Sequence, residues 1–166
     1  MASVSFTSRG MPTTVRGVVD DRFGQPVWHF RGIRYGHIAR RFGEPEYVGL
    51  GSGKLDATEF GAQCPQPSVD PGHLLRVPPE IRFTKIEEDE LECLNLNITT
   101  PPHVDINASG LLPVLVWIHG GSQVLTFASA AGPAGDPTQM RLAIEWVSKN
   151  ISNFGGDPVS FALSLD

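Results

Sequence analysis

Pro113-Val114-Leu115-Val116-Trp117-Ile118 constrains this chain more than any other segment, because it is an unbroken apolar run with no polar residue between its large side chains. A run of that kind, partly β-branched and bounded by turn signals, suits a strand covered on both faces, the environment inside a largely parallel sheet. Parallel strands need crossover connections, and their faces need helices, so the fold class expected is α/β. His119-Gly120-Gly121 follow at once. Two adjacent glycines permit a sharp backbone turn at the strand's C-terminal end, where open α/β sheets place their ligands.

The rest of the chain supplies part of such a fold. Met140, Ala143, Ile144, Val147, Ile151 and Phe154 recur at helical spacing, and Glu145 and Lys149 stand four apart. Asp136-Pro137 and Gly155-Gly156 supply the start and stop signals of that helix. Thr14 to Asp20 and Pro26 to Phe30 are β-prone and flank the polar segment 21–25, which predicts a hairpin. Leu94, Leu96 and Ile98 alternate with Asn95 and Asn97, the period of a strand with one buried face. Gly32 to Leu55 carries six glycines with little periodicity and reads as an irregular loop. Five prolines between Gln63 and Pro79 predict a further loop. One clear helix leaves one face of any sheet poorly covered.

Composition narrows the function classes. Thirteen basic against 18 acidic side chains give a net charge of −5. That average field repels phosphate backbones, and Arg31, Arg34, Arg40 and Arg41 have no aromatic ladder beside them, so no nucleic-acid partner is expected. The acidic run Glu87-Glu88-Asp89-Glu90 reads as a solvated segment. No metal-ligand spacing links the five histidines and two cysteines, so neither metal nor cofactor is expected. Residues 1–17 contain no apolar run of the kind that enters a membrane, so the expectation is no membrane partner and a cytoplasmic location, or a secreted one if the true N-terminus differs.

Four segments in order carry a family resemblance: Phe30-Arg31-Gly32-Ile33-Arg34-Tyr35 with Arg41-Phe42; Glu92-Cys93-Leu94-Asn95-Leu96-Asn97; Leu115 to Gly121; and Arg141 to Val147 with Phe154-Gly155-Gly156-Asp157-Pro158. Together they resemble the type-B carboxylesterase and cholinesterase family, with residues 14–158 carrying the likeness and 159–166 a divergent tail. The resemblance implies an incomplete α/β-hydrolase fold: an N-terminal hairpin plus part of the central, mostly parallel sheet. Two departures stand out. Arg34 occupies a usual proline position, and Leu91 stands where the family's glutamate would pair with the arginine of the Arg-Phe segment. Arg41 must then find another carboxylate, Glu90 or Glu92, or stay hydrated.

Ester hydrolysis on this fold needs a serine on a G-x-S-x-G elbow, a histidine, an orienting acid, and amides aimed at the developing oxyanion. The resemblance assigns Gly120, Gly121 and Ser122 to the oxyanion donors. Ser122 replaces a usual third glycine, and its side chain disfavours the positive φ that glycine tolerates. No elbow motif occurs in the sequence. Ser164 lacks flanking glycines, and none of His29, His37, His73, His103 or His119 sits at a matching catalytic position. The catalytic expectation is therefore none, the triad being absent. The stretch between Gly121 and Met140 is shorter than in full-length relatives, where it includes another core strand. The chain reads as internally deleted and C-terminally truncated, the mark of a truncated gene, a mis-spliced product or a mispredicted gene model.

Cys64 and Cys93 fall at the ends of the family's first disulfide loop and form a candidate disulfide in an oxidising compartment. The segment between them has no tryptophan to hold a quaternary ammonium group, which favours a general carboxylesterase over a cholinesterase. Asn97-Ile98-Thr99, Asn107-Ala108-Ser109 and Asn150-Ile151-Ser152 match the glycosylation triplet without deciding anything. The leading expectation is a carboxylesterase-like fragment with part of an oxyanion hole, inactive alone, meeting a small-molecule ester only when missing segments complete it. The alternatives are a non-catalytic interaction protein, binding a protein partner through an exposed sheet edge, and a partial reading of an active serine esterase.

Overall fold

The structure is a computed structural model and describes residues 2–7, 12–22, 24–67, 76–78, 80, 87–102, 110–118 and 137–165. Its N-terminal half is a sheet in which β1 (Ala2–Thr7), β2 (Thr13–Asp20), β3 (Val27–Arg34) and β7 (Asn95–Thr100) lie in that order as antiparallel neighbours. The hairpin expected around segment 21–25 joins β2 to β3, with Gly24 N–H donating to the Asp21 carbonyl. β3 carries a bulge between Phe30 and Ile33. Gly32 makes the bulge feasible, because its φ is +62° and a Cβ there would lie 2.8 Å from the Gly61 nitrogen.

The glycine-rich segment is not an irregular loop. It holds β4 (Gly36–Ile38) paired with β5 (Pro45–Tyr47), and β6 (Gly53–Asp56), which runs parallel to the first half of β2. Strands of three or four residues are too short to display a period, and β6 finds its partner some forty positions away, so neither signal is local. The proline-rich stretch keeps to expectation where it is described, with residues 64–67 free of regular structure.

The predicted helix is α1 (Pro137–Asn150), continued by a 3-10 turn, Ile151–Phe154. Gly155 ends it in the left-handed conformation (φ 85°), its N–H donating back to the turn. Its exposed face carries the pair Lys149–Glu145 at 2.6 Å and a second, Arg141–Glu145, at 3.3 Å. Its inner face buries Leu142, Trp146 and Val147, and Phe154 follows in the turn. Phe6, Phe30 and Phe154 meet edge to face at centroid distances of 5.2 to 5.5 Å, joining β1, β3 and the helical turn in one core. Asn150 donates 2.8 Å to the Tyr47 hydroxyl and so ties the end of α1 to β5. That burial closes one of the three glycosylation triplets.

β7 departs from simple alternation. Leu94 and Ile98 are buried as expected, but so is Asn95, whose amide donates to the Ala62 carbonyl at 2.7 Å and to the Cys93 carbonyl at 3.2 Å. The side chain reads as polar in sequence and is used as an internal clamp on the 61–63 segment. Beside it Cys64 and Cys93 are joined in a disulfide with a Cα–Cα distance of 5.1 Å.

Candidate functional site

The apolar run forms β8 (Leu112–Ile118), and the segment after Gly155 forms β9 (Gly156–Leu165), parallel to it. Residues 159–165, expected as a divergent tail, complete that second strand. How the two are placed follows from the glycine turn. Leu112 N–H donates to the Gly155 carbonyl at 2.8 Å, which fixes the start of β8 against the end of the helical turn. Gly156 then passes so close to β8 that an added Cβ would lie 2.6 Å from Val114 and 2.7 Å from Ile151. After an irregularity between Leu112 and Val114 the register is even, and Ile118 stands opposite Leu165.

The C-terminal ends of β8 and β9 are therefore neighbours, separated by one inter-strand spacing of about 4.8 Å. In sequence, Ile118 is followed by His119-Gly120-Gly121-Ser122. These four, including the three assigned to the oxyanion hole, lie outside the described residues. What the structure supplies is the platform they leave from: a strand end beside a second strand end on the side of a parallel sheet that binds ligands. Ser164 is exposed within β9, in extended backbone opposite Trp117.

Val114 and Val116 pack against the core, whereas Leu115 and Trp117, pointing the other way, are 69% and 67% exposed among the described residues. A parallel pair open on one face is what one helix leaves uncovered. Of the histidines, His29 lies in β3 and His37 in β4, both in the antiparallel half, and His73, His103 and His119 lie outside the described residues.

The two sequence departures answer one another. Arg41 reaches Glu90 at 3.0 Å, so its partner comes one position earlier than Leu91. Arg34, at the usual proline position, pairs with Glu92, which also stands 3.5 Å from His37. These pairs lie next to the disulfide and have exposed partners, so each contributes little stability. Among the described residues no group of three or more His, Cys, Asp or Glu side chains is placed to hold a metal, and no helix is long and apolar enough to cross a membrane.

Among the described residues, a mostly antiparallel N-terminal sheet, a crossover helix and a parallel strand pair ending together make an incomplete α/β-hydrolase fold. The solved structure of a thermophilic PNB esterase matches it with a TM-score of 0.66 at 27% identity, covering 93% of this chain and 37% of that one. The model of the carboxylesterase family matches residues 4–135, and the chain belongs to that family. It is similar to lipase 1 of Yarrowia lipolytica (29% identical, covering 93% of this chain and 38% of that protein) and to para-nitrobenzyl esterase of Bacillus subtilis (30% identical, 88% and 36%). The chain thus spans little more than a third of the length of these relatives.

Proposed function

We propose that this chain carries the oxyanion-donor side of a carboxylic ester hydrolase site and does not turn over esters by itself. The single observation behind this reading is the register of β8 and β9. It brings the strand that leads into Gly120-Gly121 beside the strand after which an elbow serine is needed, so amide donors and nucleophile would share one end of the sheet. Correctly placed, each such donor is typically worth roughly 3 kcal/mol in the transition state. Within these 166 residues, however, no serine stands on a glycine-flanked elbow. Without that hydroxyl and its base, amides have no developing charge to stabilise. The relatives named a lipase and a para-nitrobenzyl esterase suggest an uncharged carboxylic ester as the substrate class once the site is complete.

The test is steady-state hydrolysis of p-nitrophenyl butyrate by the purified chain and by its Gly121→Pro variant. Equal rates at the level of the uncatalysed reaction are expected; faster turnover by the parent chain would overturn the reading. A second reading, a non-catalytic protein that meets a protein partner through the exposed strand pair, is favoured by the apolar face that Leu115 and Trp117 leave open. Sedimentation velocity separates the two, since only this second reading expects a discrete complex. The Cys64–Cys93 bond supports an oxidising compartment. Mass spectrometry of chain alkylated at the moment of cell lysis tests this, since reduced cysteines take up alkyl groups and the disulfide takes up none.

A further inference from the structure

Three side chains that the ester-hydrolase reading does not use stand in a row across β2, β3 and β7. His29 and Thr99 are register partners of β3 and β7, so they share one face of the sheet, with Thr99 Oγ1 2.9 Å from His29 Nδ1. On the other side of the ring, Nε2 lies 3.7 Å from Asp20 Oδ2, within ion-pair range. Asp20 is only 5% exposed and is gripped by Arg22 through Nε, Nη2 and the backbone N–H, at 2.6 to 3.1 Å. Those hydrogen bonds hold its carboxyl well below the usual carboxylate range, so it is an anion throughout the neutral range.

An anion facing Nε2 favours the tautomer with its proton there. Nδ1 is then the acceptor, and the Thr99 hydroxyl is the donor. Burial, reinforced by the charge of Arg31, lowers the pKa of His29 below its ordinary value, which favours the neutral ring that a base needs. Access is open. Thr99 is exposed, and the His29 side chain is 23% exposed. A hydroxyl bonded to a neutral imidazole, itself facing a fixed carboxylate, is the arrangement that activates an oxygen nucleophile.

We propose that Thr99 is an acyl-acceptor hydroxyl, with His29 as its base and Asp20 as a positioning residue, that takes one acyl group from a small activated ester. The bond formed is Thr99 Oγ1 to the acyl carbon, and the bond broken joins that carbon to the leaving oxygen. The hydroxyl proton passes to His29 Nδ1 and then to the departing phenoxide, so the products are a threonine ester and a phenol. No elbow serine takes part, and the transfer is independent of the preceding reading. One acyl group per chain, without continued turnover, separates the two.

The experiment incubates the whole purified chain with p-nitrophenyl acetate and maps the adducts by peptide mass spectrometry. An acetyl ester on Thr99 is expected. It should be lost in Thr99→Val, kept in Thr99→Ser, and formed about a hundredfold more slowly in His29→Gln, the low end of what a positioned base contributes. The labelling rate should rise with pH to a plateau, with an inflection below 6.5, the ordinary histidine value. The other cations acting on the ring are Arg22 and Arg31. Should His29→Gln unfold, as read by circular dichroism, the pH profile of the parent chain decides. No acetyl on Thr99, a rate indifferent to His29, or a rate flat across the histidine range would each overturn the proposal and leave the Thr99–His29 bond a cross-strand pin.

Discussion

His29 illustrates how one residue's environment sets a property of the whole chain. Its folded pKa lies below 6.5, chiefly because burial penalises the imidazolium and secondarily because of Arg31, while the unfolded chain keeps the ordinary value. Just below that value the unfolded state binds more protons, so His29's contribution to stability is full above pH 6.5 and is lost as the pH falls through the interval down to its folded pKa. Urea midpoints should accordingly decline with falling pH in that interval, and His29→Gln should flatten the decline. Asp20 is depressed as well, so its contribution persists there and disappears only at much lower pH. A glycine supplies the second case at this scale. Gly156→Ala puts a methyl group against Val114 and Ile151 at distances that require both to move, and overpacking of this kind costs about 1–3 kcal/mol. Thermal unfolding of the variant measures it.

Among the elements, α1 and its 3-10 extension tie the two halves together. Trp146 has no solvent exposure and touches Phe154 at a centroid distance of 6.2 Å, and Phe154 in turn closes on Phe6 and Phe30. Removing that indole should therefore loosen both the N-terminal sheet and the β8–β9 pair. Trp146→Ala is expected to cost about 3–5 kcal/mol in chemical denaturation, and protection from hydrogen exchange should fall in β1 and β9 together. Loss confined to the helix would show that the halves are stabilised separately. The helix itself was legible because its apolar spacing, the Asp136-Pro137 start and the Gly155-Gly156 stop are all local signals. β4, β5 and β6 were not, since short strands are specified by partners rather than by their own pattern.

For the molecule as a whole, the Cys64–Cys93 bond closes a loop of 29 positions across the proline-rich stretch. In the chain-entropy model such a closure stabilises by roughly 3–4 kcal/mol. Urea unfolding with and without reductant should differ by about that amount, and Cys93→Ser should behave as the reduced chain does. Family membership, the α/β class and the strand-turn-helix order were set by the sequence alone, because hydrophobic period, glycine stops and the four family segments are written in neighbouring residues. What only the tertiary structure decided is which distant groups meet: Ile118 opposite Leu165, Glu90 rather than Glu92 for Arg41, and Thr99, His29 and Asp20 in line. Strand register and side-chain pairing depend on contacts between residues far apart in the chain, and no local pattern encodes them.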